Sequence, residues 1–408
     1  MERREFLTVA GAMAASTTGT RSLPLEGSFR VPRSDFRVGP SQTPQLDAAV
    51  FARRLQRARQ ELAARRLDLL IATPSTNYHY LTGYGPGRSE RLIALVLPAA
   101  GEPVLVCPAF EVERIRRNSR IQSIRGWEEH ESPYALVREV VRGFKPGGTA
   151  ALEPTTEYHT VLQLSEVLAG WRLVDGTPVT ERLRIIKSPE ELALIRRAVE
   201  ITEAAIAATF AQLTPGQTER DVSQALSAEM QRRGAPGGGL VQFGPSSALP
   251  HGGPGGPKLE REMVVLIDCG CRVGGYTSDI TRTIWYGTAP SAEFVTVFNL
   301  VHDAQTAALR LGRPRETQCQ ELDRAARKVI ADAGYGRYFT HRLGHGMGMD
   351  GHEVPYLVEG NELRLEPGMV FSNEPGIYQL DKFGVRIEDD CVMTEHGIEV
   401  LSTRPPKL

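Results

Sequence analysis

Two aspartates interrupt the most apolar stretches in the C-terminal half of this chain, and that restricts what the chain can fold into. Asp268 sits inside VVLIDCG (264–270), and Asp279 follows eleven residues later, just before ITRTI. A carboxylate folded into apolar surroundings takes up a proton or holds a cation. Three more residues extend the pattern: His345 in HRLGHGMGMDGHEVP (341–355), Glu374 in VFSNEPGIY (370–378) and Glu388 in VRIEDD (385–390). Four carboxylates and one imidazole make the ligand inventory of two divalent ions, with some carboxylates bridging. No cysteine is among them, which argues against a structural zinc site and leaves Mn first, with Co, Zn or Fe as alternatives. Such a pair of ions turns water into a nucleophile at neutral pH, so the set points to hydrolysis without naming the bond cut.

Local patterns give each ligand a place. Residues 264–270 predict an apolar strand and 274–286 its hairpin partner, turned at Gly274 and Gly275, with Asp268 and Asp279 facing each other across it. Cys269 and Cys271 alternate with Asp268, so their side chains belong on the opposite face, in the core. Gly344 and Gly346 flank His345, where they are expected to let backbone pass close to a metal or substrate. Pro375 and Gly376 fix Glu374 at the end of an apolar strand.

A length of 408 residues suits two domains. The net charge of -1 gives no basis for nucleic-acid binding, and five cysteines without a CxxC pair do not suggest a disulfide framework. The first part predicts helix at 47–66, strands at 68–73, 93–98, 103–108 and 149–154, helices at 133–143 and 161–170, and a strand at 171–176. This is a small α/β domain on a mixed sheet, without a Gly-rich phosphate loop after its first strand. A boundary is expected near 180–188, where Ser188 and Pro189 suit the N-cap and first position of a long amphipathic helix. A second helix, a strand at 239–244, the hairpin, helices at 291–311 and 316–334, and a final stretch of strand and loop follow. The recurring order helix, helix, strands hints at two α+β halves with ligands in the cleft between them.

The N-terminus reads differently. Arg3 and Arg4 precede a short, weakly apolar run from Phe6 to Ala15, with small residues Ala12 and Ala14. The RRxFL pattern resembles a twin-arginine export signal, too short to remain as a membrane span. Residues 1–20 are expected to be that signal and 21–44 a linker or arm, followed by an N-terminal domain at 45–184 and a catalytic domain at 185–408. Periplasmic export without stable membrane insertion is the expectation.

Taken together, NYHYLTGY (77–84), DCGCRVGGYTSDITRT, GHGMGMDGHEVP, NEPGIY and RIEDD stand in the order of a known family. The chain resembles the prolidase and aminopeptidase P group of pita-bread metallopeptidases, with a creatinase-type N-terminal domain, over about residues 45–400. The resemblance implies an α+β fold with pseudo-two-fold halves and cleavage of the peptide bond before proline through a metal-bridging hydroxide. It implies that Asp268, Asp279, His345, Glu374 and Glu388 hold the metals, with Asp279 and Glu388 bridging and Glu374 shuttling protons. His352 is then the histidine that steadies the tetrahedral intermediate, and His251, in SALPHG, lines the substrate site. Arg386 supports the metal carboxylates or positions substrate, while Tyr276 and Thr281 pack or support the site. The partners implied are proline-containing peptides and further copies of the chain, as a homodimer or homotetramer. Hydrolysis of a non-peptide amide on the same fold is the alternative, and a non-catalytic peptide-binding protein is the reading from another class.

Overall fold

The computed structural model describes residues 46–253 and 255–408. The expected export signal and linker, 1–20 and 21–44, lie outside the described residues. The N-terminal domain runs through α1 (Ala48–Ala64), β1 (Leu69–Ala72), α2 (Thr76–Thr82), β2 (Ala94–Pro98), β3 (Val104–Pro108), α3 (Val112–Asn118), β4 (Ser123–Trp127), α4 (Pro133–Phe144), β5 (Gly148–Leu152), α5 (Tyr158–Val167), β6 (Trp171–Asp175) and α6 (Thr177–Ile185). Its six strands form one mixed sheet in the order β4-β3-β2-β1-β5-β6. The central strands β1 and β2 are buried along their whole length, which is why they read as unbroken apolar runs. The sequence reading assigns no element to 76–82, 112–118, 123–127 or 177–185. Edge strand β4 is mostly exposed and carries no apolar alternation for such a reading to detect.

The helix expected after Ser188 begins there. Ser188 Oγ accepts from the Glu191 amide at 3.3 Å, and the Glu191 carboxylate accepts from the Ser188 amide at 2.6 Å. This reciprocal cap starts α7 (Pro189–Ala211), which is followed by α8 (Glu219–Arg232). Then come β7 (Gly237–Phe243), β8 (Met263–Val273), β9 (Tyr276–Thr277) and β10 (Ile280–Tyr286). The second half repeats the order: α9 (Ala292–Leu311), α10 (Cys319–Asp332), β11 (Gly344–Gly346), β12 (Glu353–Leu357), β13 (Val370–Asn373), the hairpin β14 (Gly376–Gln379) and β15 (Phe383–Arg386), then β16 (Asp389–Thr394) and β17 (Gly397–Val400). The sheets are ordered β10-β8-β7 and β12-β11-β13-β16-β17. The two-domain α+β architecture with a pita-bread catalytic domain is therefore the observed one.

Separate apolar clusters fill the two halves. One packs α7 and α8 against β7 and β8 and continues to α1 and α2 of the N-terminal domain; the other packs α9 and α10 against β13 and β15. Cys269 and Cys271 belong to the first cluster, on the face of β8 away from Asp268, as strand alternation requires. All five cysteines are buried and unpaired. No helix among the described residues is long and apolar enough to cross a membrane.

Candidate metal centre

The β8 hairpin turns at Gly274 (φ +55°) and Gly275 (φ +91°), a two-residue turn whose left-handed backbone glycine adopts without strain. The register then pairs Asp268 with Thr281, not with Asp279. Asp279 lies diagonally across the same face, in the break between β9 and β10. Two anchors hold that break: the Thr202 and Ser278 hydroxyls bond at 2.8 Å, and the Asp390 carboxylate accepts from the Asp279 amide at 3.1 Å. The direct cross-hairpin pairing expected from the sequence is thus replaced by a diagonal one.

The second half supplies the other ligands. His345 sits in β11, Glu374 directly follows β13, and Glu388 directly precedes β16. The glycines beside His345 serve strand packing: a Cβ at Gly344 would lie 2.0 Å from the Ser372 carbonyl, and one at Gly346 2.2 Å from the Val354 carbonyl. Backbone of the neighbouring segments approaches both glycines.

All five residues converge. Ligand atoms of Asp268, Asp279 and Glu388 lie within 4.8 Å of one another, as do those of His345, Glu374 and Glu388, and those of Asp279, His345 and His352. Glu388, Asp279 and His345 each belong to two of these groups, and of the three only the two carboxylates carry the two oxygens that a bridging ligand would use. His345 Nδ1 donates to the Gly346 carbonyl at 3.1 Å, which points Nε2 at Glu374 Oε1, 3.2 Å away, and at Asp279 Oδ2, 3.8 Å away. The charge balance tells the same story. Burial first, then Asp268, Asp390 and Glu374, push Asp279 well above the carboxylate range. Burial first, then Asp279, Glu374 and Asp268, do the same to Glu388. Glu374 behaves oppositely: burial works against its charge, but His345, His341 and Arg386 outweigh it and hold the group down to about 2. A crowd of carboxylates that suppress one another's ionisation fits two divalent cations.

Arg386 is the organiser of this cluster. It is buried, and it donates to Asp268 Oδ2 at 2.5 Å, to Thr281 Oγ1 at 3.0 Å and to the Tyr378 hydroxyl at 2.9 Å. Thr281 in turn donates to Glu388 Oε2 at 2.6 Å, so one guanidinium and one hydroxyl fix ligands from both halves. Thr281 therefore supports the site, whereas Tyr276 does not: its hydroxyl donates to Glu191 at 2.6 Å and accepts from Arg54 at 2.8 Å, at the domain boundary.

His352 is exposed and its ring stacks on His345, 3.8 Å between centroids. Arg342 donates to His352 Nδ1 at 3.2 Å, so the imidazole proton is on Nε2, a donor rather than a ligand. His251 stays outside the ligand cluster, exposed on its loop, but the preceding Pro250 carbonyl accepts from Arg386 at 3.2 Å and tethers that loop to the site.

Residues 193–395 match metallopeptidase family M24, and residues 54–186 match the creatinase/prolidase N-terminal domain. A curated protein of Mycobacterium tuberculosis named "Probable dipeptidase PepE" is 37% identical over 370 residues, 89% of this chain and 97% of its own length. The chain belongs to metallopeptidase family M24. Among solved structures, dipeptidase PepE from Mycobacterium ulcerans superposes with a TM-score of 0.83 at 37% identity, covering 89% of this chain and 98% of that one. A recombinant prolidase from Thermococcus sibiricus gives 0.81 at 31% identity, covering 89% and 99%. This M24 chain also holds functional residues that sequence reasoning missed: Arg342, Tyr378, His341 and Asp390. His341 donates to the Arg342 carbonyl at 2.7 Å and bonds the Tyr378 hydroxyl at 2.8 Å, completing a chain that runs back to Arg386. Only HRLGH, which sets His341 and Arg342 shortly before His345, carried a local signal for two of them.

Proposed function

We propose that this M24 metallopeptidase cleaves the bond before proline in short peptides, as a dipeptidase or aminopeptidase. The observation that carries the reading is the convergence of Asp268, Asp279, His345, Glu374 and Glu388 in overlapping groups. The names of its relatives, dipeptidase and prolidase, support the substrate class. Two divalent ions, when bound, lower the pKa of water and stabilise developing negative charge. Manganese is the metal proposed first, since an oxygen-rich set with one imidazole suits it.

The chain's own residues do the rest. Glu374 is ionised at neutral pH and accepts the proton of the attacking water, then passes it to the departing nitrogen. His352 presents Nε2–H to the oxyanion as it develops. Arg386 keeps Asp268 in place while charge builds beside it. The loop at His251, tethered through Pro250, walls the substrate side.

The test pairs Xaa-Pro with Xaa-Pro-Yaa, uses Xaa-Ala controls, and runs Asp279→Asn alongside. Cleavage of Xaa-Pro alone marks a dipeptidase, and cleavage of the longer peptide an aminopeptidase. Metal uptake without cleavage of any of these peptides would replace this reading with hydrolysis of a non-peptide amide. Export to the periplasm is proposed from the RRxFL start; an unprocessed N-terminus in the cytoplasmic fraction would overturn it. A homodimer or homotetramer is proposed from the family resemblance, and sedimentation of the purified chain checks it.

A further inference from the structure

The segment that carries His352 is held from both sides by charges that do not belong to the metal site. Asp350 lies two residues before His352 and Glu353 one after. Arg184, at the end of α6, donates through NH2 to Asp350 Oδ2 at 2.6 Å and also to Glu353. Lys187, in the link between α6 and α7, donates to Glu353 Oε1 at 2.7 Å. The Lys187 side chain is 1% exposed and that of Glu353 9%. The cluster continues into the N-terminal domain. The Thr76 hydroxyl of α2 donates to Asp350 Oδ1 at 2.6 Å, Arg184 NH1 donates to Asn77 Oδ1 at 3.0 Å, and Asn77 donates to Glu153 at 2.9 Å. Lys187 is itself fixed to the catalytic domain, its amide donating to the Gly368 carbonyl at 2.9 Å.

We infer that Lys187 and Arg184 are positioning residues for His352, and that through them and Thr76 the N-terminal domain sets where that imidazole points. This inference rests on the peptidase reading above for its kinetic consequences, not for its geometry. A buried Lys–Glu pair contributes little net stability, because desolvation offsets most of the attraction; what such a pair supplies is a defined geometry. The geometry defined here is that of a chain segment whose only site residue is His352. His352 itself is exposed; its ring stacks on His345 and accepts from Arg342. With consecutive Cα atoms about 3.8 Å apart, anchoring residues 350 and 353 limits how far the backbone at residue 352 can move. The clamp thus does for His352 what a packed core does for a buried side chain.

The experiment is a double-substitution cycle on the metal-loaded full chain: Lys187→Met and Thr76→Ala, each alone and with His352→Ala. A displaced catalytic group costs up to on the order of 10²-fold in rate. Lys187→Met is expected to lower kcat/KM by about tenfold or more, and Thr76→Ala by less, with metal content unchanged. In the His352→Ala background the same substitutions are expected to cost less than about twofold, because the group they position is gone. Lys187→Arg restores most of the rate. Equal losses in both backgrounds, or no loss in either, would overturn the inference. Thr76→Ala removes one hydroxyl at the boundary and keeps the cycle readable where Lys187→Met folds poorly. An independent readout, on chain loaded with diamagnetic zinc, is the signal of the carbon-bound His352 imidazole proton by NMR, assigned by its absence in His352→Ala. It shifts in Lys187→Met and Thr76→Ala if the clamp positions the ring, and stays in place if it does not. That signal does not depend on turnover, so failure of the peptidase reading and failure of this one are told apart.

Discussion

Removing the metals should make the stability of this protein fall as pH rises, and the structure sets the size of the effect. Asp279 and Glu388 have folded-state pKa values raised by burial and by the carboxylates around them. Between the ordinary carboxylate range and those raised values, the folded state keeps protons that the unfolded state has lost. Their contribution is fully present below the unfolded pKa and is lost as pH rises through the folded pKa. Each such group tilts the unfolding free energy downward by about 1.4 kcal/mol per pH unit, so two set a ceiling of about 2.7. Glu388 is 2% exposed, but the Asp279 side chain keeps 24% of its surface accessible, so its share is discounted for screening. The part of the slope that metal removes is then expected to be about 1.4 kcal/mol per pH unit; Asp390, buried and raised the same way, adds a tilt that metal does not remove. Glu374 has the opposite sign. Held down to about 2, it stabilises above the ordinary carboxylate pKa and loses that contribution only as pH falls toward 2. It leaves the neutral range untilted. The assay is urea unfolding of chelator-treated protein from about pH 7 to 8, repeated with saturating manganese; the histidines that burial holds down, His79, His302, His341 and His352, tilt stability the other way only below that range, where the unfolded chain takes up their protons. The added metal should remove that part of the slope, raise stability by about 4 kcal/mol per ion at a thousandfold excess over Kd, and release protons on binding. A metal-free stability that is flat or rises with pH, together with metal binding that releases no proton, would refute the convergence of these carboxylates.

Three further substitutions test separate links. Thr281→Val removes the donor to Glu388 and the acceptor for Arg386 without changing side-chain shape, and should weaken metal affinity about 10- to 100-fold, read by calorimetric titration. His352→Ala should lower kcat by on the order of 10²-fold while both metals stay bound, read by elemental analysis beside the kinetics. Tyr276→Phe leaves Arg54 and Glu191 buried with one hydrogen-bond partner fewer each, and should cost about 1–3 kcal/mol in urea unfolding with little change in kcat.

What could be read from the sequence divides by the range of the interaction. The α7 cap lies within four consecutive residues, the hairpin turn within two, and the ligands within short apolar strands, so each left a local pattern. The diagonal placement of Asp279 did not, because it depends on Asp390, 111 residues away, and on Thr202, 76 residues before Ser278. The same holds for Thr281 and Glu388, 107 residues apart, and for Lys187 and Glu353, 166 apart. Of the N-terminal elements that escaped detection, β4 is a mostly exposed edge strand held by pairing to β3, while α2, α3 and α6 are helices of seven to nine residues, too short to show a sustained helical period. These gaps have a common physical origin. Asp268 and Asp279 come from one half, and His345, Glu374 and Glu388 from the other, so each half alone holds carboxylates it cannot neutralise. Docking the halves adds still more negative charge, and Arg386 offsets only part of it. Across the two halves, the groups that tie the ligands together are the buried hydroxyls and guanidinium of Thr281, Tyr378 and Arg386. A sequence pattern announces the charges, because they break apolar runs. It is silent about the neutral donors that orient them, because a threonine in a strand looks the same whether it faces a metal ligand or a neighbouring side chain.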